Sequence, residues 1–529
     1  MKQVSFSTDN KHGLPIWGLH VLVLGVVALI SFRLFASQFP LRIDLPNHLA
    51  RHAIQCGGAL GENYAAYYSF SLRALPNLAA DMVYSFDFAC NDIFLTNRLI
   101  TQVSILNFIA SVYLLHFAIW RKVSLWPVAA TLLVYNTPFS YGFENYLFSV
   151  PFTFHLFALW VLLSEKPVLW RLGLTVPLAF GLYFLHIFAF GFFLVLVAGW
   201  ELGRQWNAAD FSWSGFAARL LGGLLLVVPA GLHFTLFRLI AVRVDAPSAF
   251  GWVARVDAMA SITMPGGQGA MDTRGLLPMA VLLFIGIVLL WGFRTGRLRV
   301  DGRMKFALLL GFLAALLAPM TYEGVAFMHV RYPFMVLAAL IAASRWQLSS
   351  KVQAALVVAV LAIFALRTEL LREEWLAGDA QVREMIAATE ALPAGSGIFL
   401  LRDGLTGQIV RHSHTLAYAG IFNDLFVPTL FYGTNPLSLT ADNPILFGQQ
   451  YFPRSVAQVF AYMRGERQET GRDDPETRCR QLANLPYFLV LGDGPLLAAP
   501  LPDGVEMLHQ GSYFSLLKSD TSRWQAGCP

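Results

Sequence analysis

The chain of 529 residues is a succession of apolar runs, most of them close to the length that crosses a bilayer. That pattern alone removes most soluble folds from consideration, because a membrane-spanning helix needs about 20 predominantly apolar residues. Cut on this basis, the sequence predicts eleven spans, at 14–34, 99–119, 123–138, 146–164, 169–186, 188–203, 217–239, 276–293, 306–322, 333–346 and 352–368. Charged residues make up only 13% of the chain, against about 25% in ordinary soluble proteins. The first run exceeds the roughly 7–15 apolar residues of a cleaved signal core. Ala36 and Ser37 make a poor cleavage site, so the run reads as a retained anchor.

Charge placement sets the expected topology. The apolar stretch 168–202 is too long for one crossing, with Lys166 and Arg171 at its start and Arg204 and Arg219 beyond it. Both pairs lie on one side if the chain crosses twice, turning near His186 to Gly191. Lys2, Lys11, Arg121, Lys122, the cluster Arg294, Arg297, Arg299, Arg303 and Lys305, and then Arg345 and Lys351 fall on that same side. Lys and Arg concentrate in cytoplasmic loops, which predicts a cytoplasmic N-terminus. An odd span count then puts 35–98, 240–275 and everything after about 369 outside. The net charge of +5 therefore reads as topology. No basic cluster with interleaved aromatics points to nucleic acid.

All four cysteines, Cys56, Cys90, Cys479 and Cys528, fall on the predicted outer side, where disulfides are permitted. Two in each segment suggest the local bridges Cys56–Cys90 and Cys479–Cys528, with free thiols as the alternative. Beyond Glu369 the composition changes. A charged helical stretch, 369–392, leads through Pro393–Gly397 to predicted strands at Ile398–Leu401, Phe488–Leu491 and Tyr513–Leu517. The expected fold class is thus mainly α. A polytopic helical membrane domain covers 1–369, with a first outer loop at 35–98, and a small α/β extracytoplasmic domain covers 370–529.

Candidate chemistry gathers at the outer ends of the spans. Asp44 opens the first outer loop, and His48 shares its face if the segment is helical. Asp44 could equally cap the next helix. A single carboxylate directly after the first span, opening a long loop of helical character, resembles the GT-C superfamily of polyprenol-dependent glycosyltransferases. Tyr141-Gly142-Phe143-Glu144-Asn145-Tyr146 is similar to the glycine–phenylalanine–asparagine turn between spans three and four of bacterial members. Leu182-Tyr183-Phe184-Leu185-His186 resembles their histidine at an outer helix end, and His329-Val330-Arg331-Tyr332-Pro333 their arginine–tyrosine element opening a late span. The segment from His414-Thr415-Leu416-Ala417 through 426–431 resembles one found in bacterial relatives. The resemblance covers most of the chain in short, degenerate motifs. It departs in one respect: many members carry a second acid beside another in an outer loop, whereas Glu144, Asp257, Asp272 and Glu323 stand isolated here. A divalent cation, Mg or Mn, stays open as a cofactor.

The resemblance implies transfer of a sugar from a polyprenyl-phosphate donor to a glycan, lipid or protein acceptor at the outer face of a bacterial inner membrane. The absence of a Gly-rich phosphate loop or an Asp-x-Asp pair fits a donor without a nucleotide. A departing phosphate needs positive charge, and Arg331 offers a planar fork, with His329 or His186 as further donors. The acceptor hydroxyl needs a base, for which Asp44 is the candidate, and a carboxylate also stabilises a positive glycosyl centre. His48, Glu144, Asn145 and Glu323 complete the expected substrate-binding set. Plainer readings exist for each: Glu144 in the headgroup zone, His186 as a helix-end residue, Arg331 snorkelling to lipid phosphate. His116 and His155 read as packing, and His412 and His414 as loop residues. A transporter or flippase would show paired repeats and broken helices, neither of which is legible, and a non-catalytic assembly subunit is the remaining alternative.

Overall fold

The computed structural model describes residues 16–57, 67–207, 212–240, 252–263, 273–322, 325–404, 407–431, 436–440, 454–466, 475–492 and 501–525. Its principal helices are α1 (Ile16–Phe32), α2 (Leu45–Cys56), α3 (Ile93–Trp120), α4 (Glu144–Leu162), α5 (Val168–Leu185), α6 (Ile187–Trp206), α7 (Thr273–Arg294), α8 (Lys305–Leu317), α9 (Pro333–Ala343) and α10 (Ser350–Thr389). Among the described residues seven helices are long and apolar enough to cross a membrane: α1 with its extension to Ala36, α3, α4, α5, α6, α7 and α10. The chain is a multi-pass membrane protein.

The other four expected spans are broken or short, and proline accounts for much of this. Proline lacks an N–H and disfavours helix in the residue before it. The run 123–138 becomes a 3-10 segment, Trp126–Leu133, with Pro127 in its first turn, and then the short helix Thr137–Tyr141 carrying Pro138. The run 217–239 splits into Trp213–Leu224 and Val228–Ile240, breaking just before Pro229. Helix α8 stops at Leu317, with Ala318 and then Pro319 beyond it, and α9 has only 11 residues. The carbonyls freed around the 3-10 segment are satisfied from α10. Buried Arg367 donates through Nη1 to Leu132 O at 2.7 Å and through Nη2 to Tyr135 O at 2.5 Å and Thr263 O at 2.8 Å.

Helices α5 and α6 are separated by one extended residue, His186 (φ −166°, ψ 124°). The first loop seals this break: Leu78 N donates to Phe184 O at 2.9 Å, and Ile187 N donates to Asn77 Oδ1 at 3.0 Å. At the opposite end of the bundle, Arg303 donates to Ile119 O at 2.8 Å. There the strands Leu298–Val300 and Ser344–Trp346 form an antiparallel pair.

Helix α10 has 40 residues, about 60 Å at 1.5 Å per residue. Its first half is apolar, and its second half carries a C-terminal region built on a five-stranded sheet. The strand order is Val505–Gln510, Phe514–Ser519, Tyr487–Leu491, Ile398–Arg402, Arg454–Ser455. Ile398–Arg402 runs parallel to both its neighbours, and the remaining pairs are antiparallel. The strand 505–510 was not expected from sequence, because most of its residues face outward and it carries no apolar alternation. The apolar core of this region takes in Phe39, Leu45 and Leu49 from the first loop together with Leu416, Tyr418 and Leu489. Cys56 and Cys90 are disulfide-bonded. Cys479 is also disulfide-bonded, and its expected partner Cys528 lies outside the described residues.

Replacing Arg367 by Leu would leave the carbonyls of Leu132, Tyr135 and Thr263 without these donors. Each buried unsatisfied group costs about 1–3 kcal/mol. The purified variant should therefore melt several degrees below wild type in detergent; an unchanged Tm would show that these carbonyls find other donors.

Candidate active site

The site begins with how the chain leaves α1. Buried Asp379 of α10 accepts hydrogen bonds from Ser37 Oγ (2.8 Å), Gln38 N (2.8 Å) and Phe39 N (2.7 Å). Beside it, a Cβ on Gly378 would lie 2.3 Å from the Leu41 side chain, so this close approach requires glycine. The chain then docks on the turn before α4: Ile43 N donates to Ser140 O at 3.1 Å and Asp44 N to Tyr141 O at 2.8 Å. Gly142 holds that turn at φ +78°, where a Cβ would meet Leu45 N at 3.0 Å. Buried Arg42 braces it, donating to Phe139 O and to Thr101 Oγ1, each at 3.0 Å.

Asp44 consequently occupies the N-cap position of α2, yet its side chain makes no capping hydrogen bond. The capping alternative is thereby removed, and the carboxylate is turned to other partners. Its Oδ1 lies 3.6 Å from His414 Nε2, contributed by the C-terminal region. Asn47 Nδ2 donates to Thr429 O at 2.9 Å and meets His414 Nδ1 at 2.9 Å. A backbone carbonyl only accepts, so this pairing orients the Asn47 amide, and His414 Nδ1 must accept from it. The imidazole proton then sits on Nε2, facing Asp44. Phe431 packs against both His414 and His48, with ring centroids at 5.2 and 5.8 Å. Burial pushes the Asp44 carboxyl up to about 7, with the Arg331 charge pulling the other way. Burial likewise pushes His414 down to about 4, so at neutral pH it faces Asp44 as a neutral donor.

Arg331 is buried in an aromatic box. Its Cζ lies 4.3 Å from the Phe143 centroid, 5.1 Å from Phe188 and 5.3 Å from Tyr146. Cation–π contact stabilises the guanidinium but leaves its donors unused. Nη2 reaches Ala326 O only at 3.5 Å and Nε has no partner; among the described residues no carboxylate pairs with it. The Tyr146 hydroxyl donates to the Arg331 carbonyl and fixes the backbone there. His186 stands beside Tyr146 at 5.0 Å between centroids, and its Nδ1 accepts from Phe188 N at 3.2 Å. His329, fully buried on the 3-10 turn Met328–Val330, meets Asp257 Oδ2 through Nε2 at 3.1 Å.

Glu144 and Asn145 enter an adjoining buried network. Asn97 Nδ2 donates to Glu144, whose Oε2 lies 3.9 Å from His52 Nε2; His52 Nδ1 lies 3.9 Å from Asp81, which Arg51 holds at 3.0 Å. Asn145 accepts from Ala80 N and donates to Asn77 O, each at 2.6 Å. Glu144 also lines, with Arg42 and Thr101, a cavity of about 30 Å³, roomy enough for a water molecule.

The structure thus gathers Asp44 and His48 with His414, within the field of Arg331, and sets His186 against the Arg331 box. Glu323 and Asp272 lie outside the described residues. No three His, Cys, Asp or Glu side chains converge on one point among the described residues; Asp44–His414 and Asp257–His329 are pairs. The residues missed by sequence reasoning are His414 and Asn47. His414 was read as a loop residue, and only its place in the segment resembling bacterial relatives singled it out. His412, by contrast, packs on Tyr513 and meets Gln381 Oε1 at 3.0 Å.

No protein-family model matches the chain, and no curated protein does. Among solved structures, the apo crystal structure of ArnT from Cupriavidus metallidurans is similar at 12% identity and a TM-score of 0.49. The match covers 96% of this chain and 98% of that one.

Because the folded-state pKa of Asp44 is raised, its contribution to stability is complete below about pH 4 and is lost as pH rises through about 7. Asp44→Asn stays neutral, so it should melt above wild type at pH 8 and level with it at pH 4. A variant that melts lower at pH 8 would mean that Arg331 and His414 outweigh the burial cost.

Proposed function

We propose that this protein is a glycosyltransferase of the GT-C kind, moving a sugar from a polyprenyl-phosphate donor to an acceptor hydroxyl. One observation carries the reading. A mostly buried carboxylate without a capping bond shares its field with a buried guanidinium that has no carboxylate partner among the described residues. Such a pair is costly to fold, and it suits a reaction that needs a base beside an anion site.

In this mechanism Asp44 accepts the acceptor's proton while the acceptor oxygen attacks the anomeric carbon. The bond from that carbon to the phosphate oxygen breaks, and polyprenyl phosphate leaves as an anion paired with Arg331. His414 Nε2–H holds the Asp44 carboxylate in position. His48, His186 and His329 supply polar edges to the donor sugar and phosphate, and Glu144 and Asn145 hold the turn on which Asp44 docks. The Lys/Arg distribution supports an N-in orientation in a bacterial inner membrane. The region 370–529 then lies outside as a domain closing over the first loop.

The test is transfer of labelled sugar from polyprenyl-phosphate donors by purified protein in nanodiscs. Below about pH 7 the wild-type rate should rise about tenfold per pH unit and then level off, since only the ionised carboxylate acts as base. Asp44→Asn should lower the rate by about 10²–10⁴-fold, while Arg331→Ala should raise the donor KM as well. His414→Gln should move the pH inflection upward, a shift that a purely structural role would not produce. Near-normal turnover by Asp44→Asn would remove Asp44 from the mechanism.

A further inference from the structure

At the end of the bundle remote from Asp44, a cavity of about 260 Å³ lies between the Trp126–Leu133 segment, α7, α9 and α10. Its walls include Val128, Leu132, Phe284, Leu337, Val357 and Val360. The apolar part of such a cavity suits apolar occupants. Helix α7 separates it from the outside, turning Leu283, Ile287 and Leu290 outward. The cavity's polar lining, Ser124, Arg345, Trp346 and Gln353, sits at the end where α9 is joined to α10.

Two further observations concern that polar end. Arg345 stands directly opposite Arg299 in the antiparallel pair of Ser344–Trp346 with Leu298–Val300. Residues so placed share a face, and like charges there repel; neither guanidinium has a carboxylate partner among the described residues. Trp346, the following residue and so on the other face of the strand, is buried, and its indole Nε1–H has no acceptor among the described residues. Every polar group named here except Ser124 and Gln353 is a donor only, so the missing partner is an acceptor, and an anion answers the paired arginines.

We propose that this cavity binds an anionic phospholipid. Its phosphate sits between Arg345 and Arg299, and an acyl chain fills the apolar space. Basic pockets between membrane helices recognise anionic headgroups in this manner. The site is separate from the reaction at Asp44 and holds whatever that reaction is.

Native mass spectrometry of the full chain in detergent tests this, with phosphatidylglycerol, phosphatidylcholine of the same chains, short-chain phosphatidylglycerol and inorganic phosphate as probes. Phosphatidylglycerol should bind at least about fivefold more tightly than phosphatidylcholine, and Arg345→Gln and Arg299→Gln should each weaken it by about fivefold. Short-chain phosphatidylglycerol should bind much more weakly, and inorganic phosphate should not displace the long-chain lipid. Equal binding of the two long-chain lipids, or undiminished phosphatidylglycerol binding by the double variant, would overturn the headgroup assignment. Equal binding of short and long chains, or displacement by phosphate, would overturn the acyl-chain site and leave an anion site alone.

Discussion

The carboxylate of Asp379 holds the segment on which the rest of the site depends. Its hydrogen bonds to Ser37, Gln38 and Phe39 fasten the exit of α1 to α10, and Gly378 lets Leu41 press against the same helix turn. From there only a few residues separate the clamp from Asp44, and their backbone is pinned again on Ser140 and Tyr141. Charge-assisted hydrogen bonds of this kind are stronger than neutral ones. Asp44 is thus placed by backbone geometry on both sides, and its side chain is relieved of any structural duty.

That division separates structure from chemistry across the buried charges. Arg42, Arg51 and Arg367 are all buried, and each directs donors to named carbonyls, a hydroxyl or a carboxylate. Asp81 is ion-paired with Arg51, and Asp379 accepts from the residues after α1. Arg331 and Asp44 differ in that, among the described residues, neither side chain hydrogen-bonds an oppositely charged group. One lies among aromatic faces with idle donors, and the other caps a helix without bonding to it. Buried polar groups are normally paired, and their departures from pairing tend to cluster where a substrate is to supply the missing partner.

The sequence carried the membrane character, the break at His186 and the strands near 398–401, 488–491 and 513–517, because each rests on local pattern: run length, flanking charge, short apolar runs bounded by proline and glycine. It overstated the regularity of the spans, since hydropathy does not register that Pro127, Pro138 and Pro229 interrupt the helices, or that backbone carbonyls near such a break take donors as distant as Arg367. Asp44 stood out by its position after the first span. Its partner did not, because the contact between Asn47 and His414 crosses 367 residues and nothing local at His414 distinguishes it from a loop histidine. The strand 505–510 was hidden for a related reason: it pairs through its backbone while most of its side chains face outward.

The closeness of His414 to Asp44 also bears on biogenesis. A chain emerging at about 5–20 residues per second exposes Asp44 many seconds before residues 414–431 exist. Throughout that interval α2 presents Leu45 and Leu49 with no helix 416–423 to cover them, and the carboxylate has no histidine before it. Contacts so distant along the chain form late and slowly. A ribosome-bound or prematurely terminated polypeptide would therefore insert its helices without the Asp44–His414 contact, which makes completion of translation itself the last step in assembling this buried cluster.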